Sequence, residues 1–280
     1  ILNFPDLTVD GSFVTGGATA AVLIAAGHHP LLACIAGFVA GFAAGVITGL
    51  LHTKGKINGL LAGILTQIGL YSINLRIMGG ANIPLLRNTT VMTPLRDERL
   101  LATWVSVGVF LLVALATMAL IIWFLRTNIG LAMQATGENE GMARSFGINT
   151  DGQKILGLAL SNGLVGLSGA VVAQYQGFSD ISMGIGIIVA GLASVIIGQA
   201  LVPIHNIVAA APAVVLGSVL YRVAIQGAMM LGLNPNDMKL LSAVLVILAL
   251  VLPQWSVFKK LRRRRRTEQA AATGAAVRGK

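Results

Sequence analysis

Residues that could do chemistry are scarce in this sequence, and none of them forms a catalytic pattern. Four histidines, His28, His29, His52 and His205, lie at the ends of predicted helices, and no cysteine or carboxylate stands beside them at metal-ligand spacing. The one cysteine, Cys34, lies in the apolar run LLACIAGFVAG, which excludes an intrachain disulfide and a thiolate cluster. We therefore predict no catalytic residue and no metal site. The sequence also contains no hydrolase elbow and no nucleotide-binding motif.

Polar side chains inside or beside long apolar runs are the first candidates for a function. If such a run crosses a membrane, a carboxylate or amide in it costs several kcal/mol unless it faces a cavity or a partner. We predict that the following residues line a path for a solute: Asp6, Asp10, Gln67, Asn162 and Gln199. The alternative for each is an interhelical hydrogen bond. Beyond residue 12 no acidic residue lies deep in an apolar run, which argues against a carrier driven by an ion gradient.

The segment GENEGMARSFGINTDGQK, residues 137–154, is the second candidate, because it is a long polar stretch between two strongly apolar runs. Glu140 near its start and Arg144 further on suit the dipole of a short helix. Gly147 fits the left-handed residue that ends such a helix. A helix of this kind can dock into a cleft of another protein and transmit its motion. A plain surface loop is the alternative.

The composition indicates the elements that must position these residues. Of 280 residues, 55% are hydrophobic and 11% are charged, whereas a soluble domain carries about 25% charged residues. The mean hydropathy is +0.82. We therefore predict an all-α, polytopic transmembrane helical bundle embedded in the lipid bilayer.

Regularly spaced glycines predict that these helices approach one another closely, because small residues let backbones touch where lipid gives no hydrophobic drive. One set recurs every fourth residue, at Gly37, Gly41, Gly45 and Gly49. A second set recurs every third residue, at Gly163, Gly166 and Gly169. A flexible, pore-lining helix is the alternative interpretation of the first set.

The apolar runs predict about eight spans, because one span needs about 20 apolar residues. They cover residues 12–27, 30–51, 57–74, 100–125, 155–174, 184–201, 206–230 and 239–257. The motifs GHHP and LVPIHN predict tight breaks between antiparallel helices, because proline cannot continue a helix from the preceding turn. We assign residues 1–257 to one transmembrane domain and residues 258–280 to a basic tail.

The tail KKLRRRRRTEQAAATGAAVRGK carries much of the formal charge of +10. A basic tail directly after an apolar run is typical of the cytoplasmic side and of contact with anionic lipid, so we predict no nucleic-acid partner. Alternation then places HTKGK, the 137–154 segment and VPIHN in the cytoplasm. Residues 75–99 and the loops near Asp180 and Asp237 face the other side.

The first residues, ILNFPDLTVDGS, are typical of a connection and not of a signal peptide. We expect a first helix upstream of Ile1. Two interpretations of residues 1–12 stay open: a cytoplasmic loop, or a re-entrant segment that brings Asp6 or Asp10 near the solute path.

Three motifs carry a resemblance to a known family. GENEGMARSFGIN resembles the N-E-A-A-x-x-x-G-I-N cytoplasmic loop of ATP-binding cassette (ABC) importer permeases of the branched-chain amino-acid and ribose type. The matching positions are Glu140, Ala143, Gly147, Ile148 and Asn149, whereas Gly141 and Met142 replace the paired alanines. LGLALSNGLVGLSGAVVAQYQGFSDISMGIG continues as that family does, and NFPDLTVDGSFVTGGA resembles its G-G-I-D-L-S-V-G-S junction. The sequences of these motifs are most similar to those of a subgroup associated with tryptophan or tyrosine uptake.

The resemblance implies a multi-pass permease of the bacterial cytoplasmic (inner) membrane that contains more helices than the eight counted here. It implies that the 137–154 segment forms a cytoplasmic coupling helix for separate ATPase subunits. The coupling residues would be Glu138, Glu140, Ala143, Arg144, Gly147 and Ile148. This chain would bind no cofactor, because ATP and Mg²⁺ would be held by the ATPase.

The resemblance also implies two further partners: a second permease copy in a homodimer, and an extracytoplasmic solute-binding protein. The binding protein would dock on loops 75–99, 175–183 and 231–238. The expected solute is an amino acid, with an aromatic one as the best guess. A branched-chain amino acid, a sugar or a nucleoside is the runner-up. A secondary transporter driven by an ion gradient and a structural or signalling membrane protein are the alternatives from other classes.

Overall fold

A computed structural model of the chain describes residues 2, 4–98, 100, 103–201, 207–230 and 238–251. The predictions made for His205, the VPIHN break, the loop around Asp237 and the tail 258–280 fall on residues outside these ranges. The helices are α1 (Val9–Ala25), α2 (Pro30–Thr53), α3 (Gly59–Met78), α4 (Thr93–Asp97), α5 (Trp104–Leu125), α6 (Asn128–Glu138), α7 (Glu140–Ser145), α8 (Thr150–Gln176), α9 (Ile187–Leu201), α10 (Ile207–Met230) and α11 (Met238–Val251). The strands are β1 (Asn82–Pro84) and β2 (Phe178–Asp180).

A helix lies at each of the eight apolar runs, but not every helix has the length of a span over its described residues. Within the described ranges, helices α2, α3, α5, α8 and residues 210–230 of α10 are long and apolar enough to cross a membrane. Helices α1 and α9 are apolar but contain only 17 and 15 residues. The structure is therefore mostly helical, as predicted, and its described residues contain five candidate spans.

The GHHP break forms as the sequence predicts. Gly27, in the turn after α1, has a φ of +84°. Glycine adopts this left-handed conformation without the steric cost that a Cβ would bring. The ring of His29 accepts a hydrogen bond from the Leu31 amide at 3.3 Å, and Pro30 occupies the first position of α2. Proline is favoured there because its missing N–H would have no partner within the helix.

The chain divides into two compact units, residues 1–188 and 189–280. The first unit is built on the contact of α2 with α8, and α1 packs against both helices. A Cβ built on Gly41 would overlap the Asn162 carbonyl oxygen, and one on Gly45 would overlap the Leu158 carbonyl oxygen. The helices therefore meet backbone to backbone, and both glycine sets lie in helix contacts.

Residues 4–8 pack into this unit beside α3, and the two interpretations of residues 1–12, a cytoplasmic loop or a re-entrant segment, stay predictions. A Cβ on Gly59, at the start of α3, would contact the Phe4 ring, and one on Gly63 would lie 2.9 Å from the Leu7 amide nitrogen. Pro5 keeps Phe4 extended, and the Asp6 carboxylate accepts a hydrogen bond from the Thr8 amide at 2.9 Å. Helix α1 therefore begins only at residue 9, which explains its short length.

A two-stranded antiparallel sheet departs from the predicted all-α class. Strands β1 and β2 pair with Ile83 opposite Ser179, and the Asn82 side chain donates to Asp180. The sheet joins the segment after α3 to the end of α8, so it lies at the opposite end of α8 from α7. We call these the sheet end and the α7 end of the unit.

The second unit contains most of α9, with α10 and α11. A Cβ on Gly198 would overlap the Ala213 carbonyl oxygen, and one on Gly217 would overlap the Ser194 carbonyl oxygen, so α9 and α10 also meet at glycines. Ala193, Tyr221 and Ile225 form its buried core.

Candidate functional site

The short helix α7 lies beside the start of α8, and its ends are fixed by local capping. The Asn139 side chain accepts a hydrogen bond from the Met142 amide at 2.9 Å, which begins α7. At the other end, the Ile148 amide donates to the Ala143 carbonyl and the Gly147 amide donates to the Arg144 carbonyl. Gly147 has a φ of +82°. These two bonds with a left-handed glycine form a Schellman motif, as the position of Gly147 predicts.

Glu140 connects this helix to the start of α8. One carboxylate oxygen lies 2.6 Å from the Lys154 Nζ, and the other lies 3.2 Å from an Arg144 nitrogen. Arg144 also donates to the Thr150 hydroxyl at 2.9 Å and lies 3.4 Å from the Asp151 carboxylate. The hydrogen bond from Lys154, followed by the positive charges of Lys154 and Arg144 and the Thr150 hydroxyl, lowers the pKa of Glu140. The helix is therefore clamped on one side by ion pairs.

The other side of α7 carries exposed apolar side chains. Met142 is 49% exposed, and Phe146, the residue that caps the end of α7, is 76% exposed; they are four positions apart and so lie about one helical turn apart. Ala143 is 1% exposed and faces the body of the unit. Glu138 is exposed at the end of α6.

The half-buried Asp6 and the fully buried Asn162 form a polar cluster halfway along α8. The Asn162 amide donates to the Asp6 carboxylate at 2.6 Å, and its oxygen accepts from the Ser12 hydroxyl at 2.7 Å. Asn162 follows the start of α8 by twelve residues, about 18 Å at 1.5 Å per residue. The hydroxyls of Thr8 and Thr48 bond at 2.8 Å beside it. This cluster satisfies its own polar groups, so it links α1, α2 and α8.

A cavity of about 370 Å³ lies between the start of α1, the second half of α3 and the segment before α9. Its lining comprises Asp10, Gly11, Val14, Gln67, Ile68, Tyr71, Ser72, Asn74, Ile181, Gly184 and Ile185. The Asp10 carboxylate accepts hydrogen bonds from the amides of Gly186 at 3.3 Å and Ile188 at 3.0 Å. Asp10 also lies in the first turn of α1, where the helix dipole favours an anion.

The structure brings four of the predicted path residues together in two pairs. Asp10 and Gln67 line the same cavity. Asp6 and Asn162 bond to each other in the cluster on α8. Gln199 lies on α9, in the second unit, with an exposed side chain. The path prediction itself remains a prediction.

Sequence reasoning missed Tyr71 and Asn74 in the cavity. With Gln67 they occupy positions i, i+4 and i+7 of α3, which places all three on one face of the helix. That spacing was visible in QIGLYSIN. It also missed Lys154 and Thr150 as partners of Glu140, because their pairing depends on the turn at Gly147.

A polar loop follows β2 at the sheet end. The Ser182 hydroxyl and amide both donate to the Asp180 carboxylate, and these bonds lower the pKa of Asp180. Over the described part of the chain, no three His, Cys, Asp or Glu side chains come together as a metal site.

Comparison with known proteins gives one family and several relatives. A family model described as branched-chain amino acid transport system / permease component matches residues 1–251. The chain is 41% identical over 247 residues to the tyrosine transport system permease protein of Clostridioides difficile (strain R20291), which covers 88% of this chain and 81% of that protein. The chain is also similar to the autoinducer 2 import system permease protein of Salmonella typhimurium. The two are 28% identical over 199 residues, which cover 69% of this chain and 54% of that protein. No solved structure matches.

Proposed function

Because the chain belongs to the permease family of branched-chain amino acid transport systems, we propose that it is the membrane-spanning subunit of an ABC importer. It is an integral membrane protein, and we assign it to the inner membrane of a bacterium. In this proposal the chain performs no catalysis and binds no cofactor. ATP and Mg²⁺ belong to separate ATPase subunits.

The observation that carries the proposal is the α7 helix, clamped on one side and apolar on the other. Glu140 fixes α7 to Lys154 at the start of α8, while Met142 and Phe146 remain exposed. A cleft of the ATPase would cover these two side chains. Movement of the ATPase would then pass through the ion pairs into α8, the helix on which α1 and α2 pack.

Transport would follow from alternating access. Two copies of the permease would pair around a central path, and ATP binding would favour one of two conformations of the pair. A solute-binding protein would dock at the sheet end, on loops 75–99 and 175–183, together with residues 231–238. Asp10 and Gln67, which line the cavity nearest that end, would contact the solute.

We propose an amino acid, with an aromatic one as the best guess, as the solute. The support is the 41% identical relative, whose name states tyrosine transport. Another relative is a nucleoside transporter permease, 34% identical over 114 residues, so a nucleoside or a sugar is the alternative solute class.

One observation favours a second candidate, a carrier driven by an ion gradient. The half-buried Asp6 carboxylate accepts a hydrogen bond from Asn162 near the middle of α8. Intramembrane carboxylates are typical of proton relays. The same uptake assay separates the two candidates.

The test is uptake of L-tyrosine into proteoliposomes that contain the chain, its ATPase and its binding protein. We compare the wild type with Phe146→Ser, which removes the exposed apolar side chain without touching the ion pairs of Glu140. Trp104→Ser is the matched control, because Trp104 is 89% exposed at the far end of α5, about 33 Å along that helix from α6. We expect ATP-dependent uptake in the wild type and the control. Phe146→Ser should lose most of the uptake and bind the ATPase more weakly.

Equal uptake and equal ATPase binding in Phe146→Ser and the control would contradict the coupling role of α7. Uptake that continues without the ATPase and collapses when an ion gradient is dissipated would establish the second candidate instead.

A further inference from the structure

The first described residues connect α6 to the start of α1, and we call Leu2 and residues 4–8 the strap. A Cβ built on Gly157 of α8 would overlap Leu2 Cδ1 and would lie 3.2 Å from the Met133 sulfur of α6. Met133 is 3% exposed, so this contact is buried. Leu2 therefore packs where α6 meets α8.

Helices α2 and α3 hold the middle of the strap. The Phe4 ring makes an edge contact with the His52 ring of α2, with 4.9 Å between the ring centroids. A Cβ built on Gly59, at the start of α3, would lie 2.5 Å from the same Phe4 ring. The His52 Nδ1 lies 2.9 Å from the Ile57 carbonyl oxygen, which fixes the imidazole against which Phe4 packs.

Polar contacts hold the last residues of the strap. Asp6 accepts from Asn162 of α8 at 2.6 Å, and the Thr8 and Thr48 hydroxyls bond at 2.8 Å. Asn162 follows Gly157, where Leu2 packs, by five residues, which is about 7.5 Å along α8. The strap therefore runs beside α8 in the same direction as that helix, and α1 begins with the next residue.

Movement of α7 would reach both ends of the strap. Helices α6 and α7 share Asn139, which caps the end of one and the start of the other, so a displacement of α7 acts on α6. Because protein interiors are close-packed, a shift of α6 against α8 displaces the Leu2 side chain at their contact. At the other end lies Asp10 of α1, which lines the cavity and bonds to the amides of Gly186 and Ile188.

We propose that the strap is a second coupling route, in which Leu2 and Phe4 are positioning residues that carry movement of α6 and α7 to α1 and its cavity. This route is separate from the Glu140 clamp, which acts on α8 through Lys154. The proposal rests on the importer function proposed above and adds the segment that links ATPase movement to the first helix.

The test measures how much L-tyrosine is transported for each ATP hydrolysed, in the proteoliposomes described above. Leu2→Ala and Phe4→Ala remove the two apolar contacts and leave the ion pairs of Glu140 untouched. We expect both variants to bind the ATPase and hydrolyse ATP like the wild type. Their transport per ATP should fall about fivefold, within the range that substitutions along a coupling network produce. Leu2→Met, which nearly conserves the volume, should retain the wild-type ratio.

Two comparisons separate coupling from stability. Ile24→Ala opens a cavity at the sheet end of α1, where Ile24 is 2% exposed, and it should lower the Tm without changing transport per ATP. The double variant Leu2→Ala/Phe4→Ala should lower the ratio no further than the stronger single variant, because both changes interrupt the same route.

Three results would overturn the strap route: a wild-type ratio in both Leu2→Ala and Phe4→Ala, an equal loss of coupling in Ile24→Ala, or loss of ATPase binding in the strap variants. The importer function is judged separately, by the wild type. Coupled uptake in the wild type with an unchanged ratio in the strap variants refutes the strap alone, whereas a wild type without ATP-dependent uptake of any solute refutes the importer function.

Discussion

At the scale of single residues, the sequence predicts side chains whose role is set by neighbours along the chain. Gly147 and Glu140 could be assigned to the end and the start of one short helix because capping acts within six residues. Asn74 and Tyr71 could not be assigned to a cavity, because its other wall comes from residues more than a hundred positions away. The pairing of Glu140 with Lys154 likewise depends on the turn between α7 and α8.

Gly147 should accept only residues that tolerate a left-handed backbone. A Cβ at this position would meet nothing within 4 Å, so the cost is conformational and amounts to about 1–2 kcal/mol for most residues. We expect Gly147→Asn to retain uptake and Gly147→Val to lose most of it. Gly141→Ala is the control, because its Cβ would make an ordinary contact at 3.5 Å. Equal activity of the Asn and Val variants would refute a requirement for this conformation.

The Glu140 clamp should persist to acidic pH. A carboxylate whose pKa is lower in the folded state stabilises that state above its unfolded pKa, and this contribution is lost as the pH falls through the folded pKa. Hydrogen exchange of the α7 amides, corrected for intrinsic rates, should therefore show protection that is lost only below the usual range of glutamate. Lys154→Met should move this loss to higher pH. An identical midpoint in the two proteins would show that Lys154 does not stabilise the clamp.

At the scale of elements, apolar runs located the helices but not all their ends. The GHHP break is local and was predicted, whereas the start of α1 depends on threading of residues 4–8 between helices. The two-stranded sheet was missed because each strand has three residues, too few to show an alternating pattern. Helix α6 was not distinguished from the polar segment that follows it.

The contact between α2 and α8 should be intolerant of a methyl group. Gly45→Ala would place Cβ against the Leu158 carbonyl, and overpacking of this kind costs about 1–3 kcal/mol. Gly69→Ala is the matched change on α3, where a Cβ would meet nothing within 4 Å and alanine favours the helix by about 1 kcal/mol. Thermal unfolding in detergent should show a lower Tm for Gly45→Ala and an unchanged or higher Tm for Gly69→Ala. The same Tm in both variants would argue against backbone contact between α2 and α8.

At the scale of the whole molecule, composition predicted a membrane protein, and the motifs indicated the family that the comparisons confirm. The orientation rests on the basic tail and on alternation of the spans. It predicts that α7 lies in the cytoplasm and the sheet end outside, and no contact within the chain tests this prediction.

Cysteine labelling tests this orientation. In a Cys34→Ala background, Ser145→Cys on α7 should react with an impermeant maleimide only in inverted vesicles. Leu86→Cys, at a side chain that is 68% exposed near β1, should react only in right-side-out vesicles. The opposite pattern would invert the topology, and reaction of both from one side would refute the alternation.

The threading of the first residues also constrains how the protein is made. Asp6 bonds to Asn162, which follows it by 156 positions. A ribosome that adds about 5–20 residues per second needs roughly 8–30 s to synthesise the intervening chain. During that interval the Asp6 carboxylate lacks the hydrogen bond from Asn162, and α1 cannot yet pack against α8. Residues 6–12 therefore reach their final contacts only after α8 has been made, and β2, which follows α8, pairs with β1 later still.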